Sequence, residues 1–126
     1  MIRATHRAFG ISIVVALLVA ACGDYAVELP HRYSLVKIAG GEYLISNAAG
    51  VVVVGPTVDQ YKVVGPYVVG RVSRPHSDTL VGFFILDTET GAISDSLHET
   101  SWREQLAKYR IPSTVELHRP NRFQAL

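Results

Sequence analysis

Cysteine is almost absent from this 126-residue chain, which has a single one, Cys22. One thiol cannot form an intramolecular disulfide, and it falls short of the cysteine sets of structural zinc sites. Charged residues are also few, at 18% of the chain, and the formal net charge is +1. A nucleic-acid binder shows a basic stripe or patch for phosphate contacts, and the sequence has none. The fold must therefore be stabilised by its apolar core.

The only long apolar run extends from Phe9 to Ala21, after a basic start at Arg3 and Arg7. As a helix its 13 residues would span about 20 Å, less than the ~30 Å hydrocarbon core of a bilayer. A short apolar run behind a basic start favours a signal peptide over a permanent transmembrane helix.

The end of this run, Val19-Ala20-Ala21-Cys22, resembles the lipobox of bacterial lipoproteins. The resemblance implies that residues 1–21 are removed and that Cys22 carries a diacylglyceryl group, with a further acyl chain such as palmitate on its new amino group. Two or three acyl chains, at about 0.8 kcal/mol per buried CH₂, hold a protein stably on a membrane. The alternative is an ordinary secretory signal in which Cys22 is incidental.

The residues after Cys22 bear on the membrane that the protein would occupy. In enteric bacteria, an aspartate directly after the lipidated cysteine retains a lipoprotein in the inner membrane, whereas here Gly23 intervenes and Asp24 is one place later. We therefore expect a protein of the cell envelope, lipid-anchored, with the outer membrane facing the periplasm favoured over the inner membrane.

Removal of the leader leaves ten Lys and Arg against eleven Asp and Glu, in a length that suits one domain. The predicted organisation is a signal peptide, a lipidated tether, a single β-rich domain and a C-terminal tail, at residues 1–21, 22–32, 33–118 and 119–126.

The middle of the chain repeats itself: Val53-Val54-Gly55-Pro56 recurs ten residues later as Val63-Val64-Gly65-Pro66. Gly-Pro interrupts a strand ladder, and this spacing is typical of an antiparallel meander. Strands are predicted at residues 33–38, 42–46, 51–54, 58–64, 67–73, 80–86 and 92–94, with a further edge strand in 113–118.

Leu80 to Leu86 is apolar at odd and even positions alike, so this strand needs cover on both faces, by other strands and by a helix. Trp102, Leu106 and Tyr109 have the spacing of one helical face, and Ile111-Pro112 ends that helix. The prediction is an α+β fold: an antiparallel β-meander of about six to seven strands, with one C-terminal helix packed on the sheet.

The segment from Gly82 to Gly91, followed by Trp102 at the start of a short helix, resembles a pattern in small uncharacterised bacterial proteins, some of them exported. The resemblance covers roughly residues 60–110. It implies the architecture of strand, tight hairpin and helix, and it brings no catalytic residues.

Candidate catalytic residues are few. The four histidines after the leader, His31, His76, His98 and His118, lack the spacing of metal ligands. No metal and no cofactor is predicted. His76-Ser77-Asp78 contains the residue types of a hydrolase triad, but neighbouring residues point in different directions. A small hydrolase using His76 or His98 therefore remains the least favoured interpretation.

The favoured interpretation is a non-enzymatic binding or interaction module, held on the membrane by its N-terminal lipid, with a protein or an envelope polymer as partner. Tyr61, Tyr67, Arg71 and Arg74 are the predicted partner-binding residues, because Tyr and Arg most often anchor interfaces. The alternative from the same class is an inhibitor or immunity-like lipoprotein directed against an enzyme or toxin that attacks the envelope.

Overall fold

A computed structural model describes residues 26–120 of the chain as eight strands and one α-helix. The strands form two four-stranded antiparallel sheets, β1-β2-β3-β4 and β5-β6-β7-β8. The elements are β1 (Ala26–Glu28), β2 (Ser34–Lys37), β3 (Tyr43–Ser46), β4 (Val52–Val54), β5 (Val58–Val64), β6 (Tyr67–Ser73), β7 (Leu80–Asp87), β8 (Ile93–Leu97) and α1 (Glu99–Lys108).

The mainly antiparallel α+β prediction is confirmed, but the single meander of six to seven strands divides into two sheets of four. The division falls at Gly55, within the first Val-Val-Gly-Pro copy and directly after β4. A side chain on Gly55 would place its Cβ 3.0 Å from Leu44 Cβ, and the φ of Gly55 is +118°. The chain leaves the first sheet here, and Thr57 pairs with Ser73 in the second sheet. The second copy, at Gly65-Pro66, is the predicted hairpin turn between β5 and β6.

The folded body includes residues 26–32, whereas the sequence predicted a tether as far as residue 32. β1 pairs with β2 across the register Ala26↔Val36 and Val27↔Leu35. Val27 and Leu29 are 9% and 6% exposed and belong to the core. Val27 and Leu29, two apolar residues in a polar stretch, therefore make residues 26–32 of the predicted tether part of the two-sheet sandwich. The rest of that tether, residues 22–25, lies outside the described residues, as do the predicted signal peptide and residues 121–126 of the predicted tail.

The two faces of the second sheet pack against different layers, as the apolar run at 80–86 predicted. Phe84 and Leu86 point to the first sheet and meet Leu35 and Ile45 there. Phe83 and Ile85 point the other way, into a second core beneath α1. The molecule thus has three layers, with the second sheet in the middle.

The helix α1 begins after His98, whose carbonyl accepts the N–H of Trp102 at 2.8 Å. Trp102 and Leu106 are fully buried and Tyr109 is half-buried, all in the second core, which confirms the predicted helical face. Leu97 packs into the same core, as expected of a residue that precedes the helix and contacts its first turn.

The segment after α1 makes less regular structure than predicted. Instead of an edge strand over 113–118, it forms one antiparallel bridge with Tyr61. The His118 N–H donates to the Tyr61 carbonyl at 3.1 Å, and the Tyr61 N–H donates to the His118 carbonyl at 2.9 Å. Pro112 prevents a regular strand here, because it starts a turn in which the Val115 N–H donates to the Pro112 carbonyl.

The sandwich has two opposite ends, each with side chains that join the two sheets. At the first end, named the Glu42 end, lie the turn 38–42, residues 55–57 and the loop 74–79; Glu42 contacts Thr57 and His76 there. At the other end, named the Thr88 end, lie residues 30–32, 47–50, 65–66 and 88–92. His31 Nδ1 is 3.0 Å from the Thr88 hydroxyl, which itself donates to the Pro66 carbonyl.

Candidate functional site

A groove of about 700 Å³ opens on the helix side of the second sheet. Its walls are the second sheet, the first half of α1 and the irregular segment 113–117. The volume lies within the range of about 300–1,000 Å³ that is usual for ligand sites. The residues that line it are Gln60, Arg71, Phe83, Glu99, Arg103 and residues 113–117.

Two arginines and two aromatic rings form a stacked row, in which Arg71, Phe83 and Arg103 line the groove and Trp102 is fully buried. The Arg71 guanidinium carbon lies 5.9 Å from the centre of the Phe83 ring, and that of Arg103 lies 5.1 Å from the Trp102 ring. The Phe83 and Trp102 rings are themselves 4.7 Å apart. Each cation over a ring contributes about 0.5–1 kcal/mol at an exposed site, and the rings hold both guanidinium groups in place.

Arg71 is further positioned by Asp59, whose Oδ2 lies 3.0 Å from Arg71 Nε. The two side chains are 27% and 18% exposed. The pair is close enough for charge attraction, but the buried Nε has no aligned hydrogen-bond acceptor within residues 26–120. Arg71 is therefore held by charge and stacking and is only partly satisfied by hydrogen bonds.

Arg103 ties the helix to the segment that follows it. Its Nε and Nη2 donate to Glu99 Oε2 at 3.2 and 3.0 Å, and its Nη1 donates to the Ser113 carbonyl. Glu99 also lies in the first turn of α1, where a negative charge is favourable to the helix dipole. These contacts make Arg103 a structural wall of the groove.

The charges around the groove are mixed. Arg71 and Arg103 are paired with Asp59 and Glu99, and the exposed Glu116 adds a further negative charge. A phosphate or other strong anion needs a surplus of donors and positive charge. The mixed charges of this groove therefore do not favour a strongly anionic ligand.

The predicted partner-binding residues do not share one surface. Tyr61 is 3% exposed and lies in the core between the sheets. Its pKa is raised above 10.0, mainly by burial and to a smaller extent by the charge of the neighbouring Tyr43. Tyr67 is half-buried against the Tyr109 ring, 5.0 Å away. Arg74 is exposed at the Glu42 end. Of the four, Arg71 alone lines the groove.

Glu42, Thr57 and His76 form a second cluster, named the Glu42 cluster, where the two sheets meet. Thr57 donates its hydroxyl proton to Glu42 Oε2, and the His76 N–H donates to Oε1 at 3.1 Å. The His76 ring nitrogen Nδ1 lies 3.2 Å from the same Oε1. The Thr57 hydrogen bond, with smaller contributions from His76, holds the pKa of Glu42 below its ordinary 4.5 against the desolvation that would raise it.

The order of contacts in the Glu42 cluster differs from that of a nucleophilic triad. In a triad the histidine lies between the hydroxyl and the carboxylate and takes the hydroxyl proton. Here the carboxylate lies in the middle, and the Thr57 proton points at it. This cluster is built to join the sheets.

The His76-Ser77-Asp78 segment does not assemble as a triad either. Ser77 Oγ contacts the hydroxyl and the N–H of Thr79, within its own loop. His98, the other histidine of the hydrolase hypothesis, is exposed at the helix start and makes no capping hydrogen bond with its side chain.

The described part of the chain, residues 26–120, contains no group of three or more His, Cys, Asp or Glu placed to hold a metal ion. It also contains no helix with the length and apolar character needed to cross a bilayer.

Sequence reasoning missed Phe83 and Arg103, which line the groove, as parts of a site. The spacing of Glu99 and Arg103, four residues apart on a helix, was the available signal for an ion pair. The position of Phe83 over Arg71 follows from the strand register, in which the two residues are directly opposite.

Comparisons with known proteins add no relative. No family model matches the chain, and neither the curated proteins nor the solved structures gave a match.

Proposed function

We propose that the protein is a bacterial envelope lipoprotein, anchored through Cys22, that acts as a non-enzymatic binding module. In this proposal the lipid holds the sandwich at the membrane surface, and the groove beside α1 receives a segment of a partner protein. The outer membrane, facing the periplasm, is the proposed location, because Asp24 is not adjacent to Cys22.

The stacked row at the groove is the observation that carries the binding role. Arg71, Phe83 and Arg103 line the groove, and the fully buried Trp102 packs against Phe83 and Arg103. These are the residue types that dominate binding energies at protein interfaces. Arg71 is the residue proposed to contact the partner, because its side chain is 27% exposed and lines the groove.

The anchor is tested on the protein made in a bacterial host. Mass spectrometry of the mature N-terminus should find Cys22 as the first residue, with acyl chains attached. A Cys22→Ser variant should lose the acyl mass and leave the membrane fraction. An unmodified thiol with the leader intact would refute the anchor.

The binding role is tested by crosslinking in cells, followed by capture from membranes. Arg71→Ala should reduce recovery of a specific protein at least about tenfold, the effect of ~1.4 kcal/mol, and Arg71→Lys should restore only part of it. Arg74→Ala removes the same charge outside the groove and is the matched control. Equal recovery with Arg71→Ala and wild type, with both proteins folded by circular dichroism, would refute the groove as the binding surface.

The identity of the captured protein separates a general interaction module from an inhibitor. If the partner is an envelope hydrolase or a toxin, the inhibitor or immunity-like function is favoured, and deletion of the gene should sensitise cells to it.

A further inference from the structure

The place of Ala26 in β1 limits the distance between the folded body and the proposed anchor. Three residues, 23–25, separate Cys22 from Ala26. The four Cα steps from Cys22 to Ala26, at about 3.5 Å each, reach at most about 14 Å. A tether of the predicted length, as far as residue 32, would have reached more than twice as far.

The direction of β1 decides which end of the sandwich is nearest to that anchor. Ala26 is opposite Val36, and β2 runs from there through Lys37 into the turn 38–42. The chain therefore enters the body at the Glu42 end.

We propose that the Glu42 end is the membrane-facing surface of the protein and rests on the polar headgroup layer. The proposal depends on the lipid anchor at Cys22 that is part of the proposed function. The turn 38–42 and the loop 74–79 face the lipid, and the Thr88 end points away from it.

The position of Ala26 within the first sheet supports this orientation. Ala26 pairs with Val36, one residue before the end of β2, so it lies close to the turn 38–42. Residues 30–32 at the Thr88 end are about four residues away along the chain, or about 13 Å at ~3.3 Å per residue. The Glu42 end is therefore the end nearer to the anchor.

The side chains at the Glu42 end are compatible with a headgroup layer, but they do not select this end, because Val51, Val52 and Ile93 are exposed next to the Thr88 end. Leu80 and Val81 are 44% and 50% exposed where β7 begins, and Arg74 is exposed in the preceding loop. Apolar side chains beside a cation form the pattern of interfacial contact, in which the apolar groups enter the headgroup region and the cation meets lipid phosphates. Asp78 is exposed in the same loop, so the tether sets the orientation and charge attraction contributes little.

The test uses the full-length lipidated protein in vesicles of phosphatidylethanolamine and phosphatidylglycerol that contain a quencher attached to some headgroups. A fluorophore is placed on one introduced cysteine at a time: Ser77→Cys at the Glu42 end, Ala48→Cys at the Thr88 end and Ser46→Cys on the outer face of the first sheet. Lipidation of Cys22 leaves the introduced thiol as the only reactive one.

The headgroup quencher should reduce the fluorescence of the Ser77→Cys probe at least about threefold more than that of the other two. This expectation follows because one strand length of about 23–26 Å separates the two ends. A flexible Gly-Ser insertion of about 20 residues after Asp24 would extend the tether by a root-mean-square distance of about 25 Å. That insertion should remove the difference without releasing the protein from vesicles.

Two results overturn different parts of the argument. Equal quenching of all probes, or strongest quenching at Ala48→Cys or Ser46→Cys, in a protein that floats with the vesicles refutes the orientation and leaves the anchor in place. A protein that does not float with the vesicles, and whose Cys22 reacts with the fluorophore, refutes the anchor itself.

Discussion

The Trp102 indole N–H donates to the Phe84 carbonyl oxygen at 2.9 Å, with Trp102 completely buried. This hydrogen bond joins the only α-helix of residues 26–120 to the central strand pair of the second sheet. It also holds the Trp102 ring against Phe83, and so it supports the stacked row at the groove.

Replacing Trp102 with Phe should lower the free energy of unfolding by about 1–3 kcal/mol, because the Phe84 carbonyl loses its side-chain donor in a dry environment. Urea denaturation of the full-length chain, followed by circular dichroism, measures the change. Glu104→Gln, on the exposed side of the same helix, should change stability by less than about 0.5 kcal/mol. Equal stability of Trp102→Phe and wild type would contradict the role given to this hydrogen bond.

Replacing Leu29 with Ala tests whether the predicted tether is part of the folded body. Leu29 is 6% exposed in the first core, so the truncation should cost about 2–5 kcal/mol. The preceding residue, Glu28, is exposed, and Glu28→Ala should cost less than about 0.5 kcal/mol. Similar small effects of both changes would mean that this stretch is a free tether after all.

Replacing Gly70 with Ala should disturb the second sheet severely. The new Cβ would lie 2.2 Å from the Gln60 carbonyl oxygen and 2.9 Å from the Phe84 ring. Because the backbone itself must move, we expect a loss of at least about 3 kcal/mol, at the upper end of the overpacking range. In Gly65→Ala the new Cβ meets nothing within 4 Å, and only the φ of +58° is unfavourable, which costs about 1 kcal/mol. The reverse order of the two losses would contradict the packing around Gly70.

Glu42 should make the stability of the protein depend on pH in the acid range. Its pKa in the folded state lies below the ordinary 4.5 because Thr57 and His76 stabilise the carboxylate. The stabilisation is present above the unfolded-state pKa, and it is lost as the pH falls through the folded-state pKa, because the folded protein binds the proton less readily.

The variant Glu42→Gln should therefore be less stable than wild type near neutral pH, and the difference should shrink as the pH falls below about 4.5. Urea midpoints between about pH 7 and pH 3 measure this. Glu104→Gln should keep the pH dependence of wild type. Parallel curves for Glu42→Gln and wild type would contradict the contribution of the Glu42 cluster.

Local patterns predicted the second half of the fold well, because its strands and helix carry signals within short stretches. The Gly65-Pro66 turn placed β5 and β6 at their observed limits, 58–64 and 67–73. The spacing of Trp102 and Leu106 predicted both α1 and its buried face.

The division into two sheets could not be read from the repeat. Gly55-Pro56 and Gly65-Pro66 give the same local signal, yet the first leads to a new sheet and the second to a hairpin. The two glycines differ in their surroundings. A Cβ on Gly55 would lie 3.0 Å from Leu44 Cβ, whereas a Cβ on Gly65 would have no atom within 4 Å. Such contacts are distant in sequence.

The position of Tyr61 shows why one predicted site residue is in the core. Strict alternation would place Val58 and Tyr61 on opposite faces of β5, but both belong to the core between the sheets. The strand has an irregularity between Val58 and Gln60, which changes the register by one residue. A bulge of this kind leaves no mark in the apolar pattern.

Residues 55–57 are the only passage of the described chain from one sheet to the other, and every strand pairing lies wholly before or wholly after them. Cleavage of the Gly55-Pro56 bond would break no strand pairing. Each fragment would expose an apolar face that the other fragment is shaped to cover. The two halves meet the conditions for noncovalent fragment complementation, with a stability that would then rise with fragment concentration.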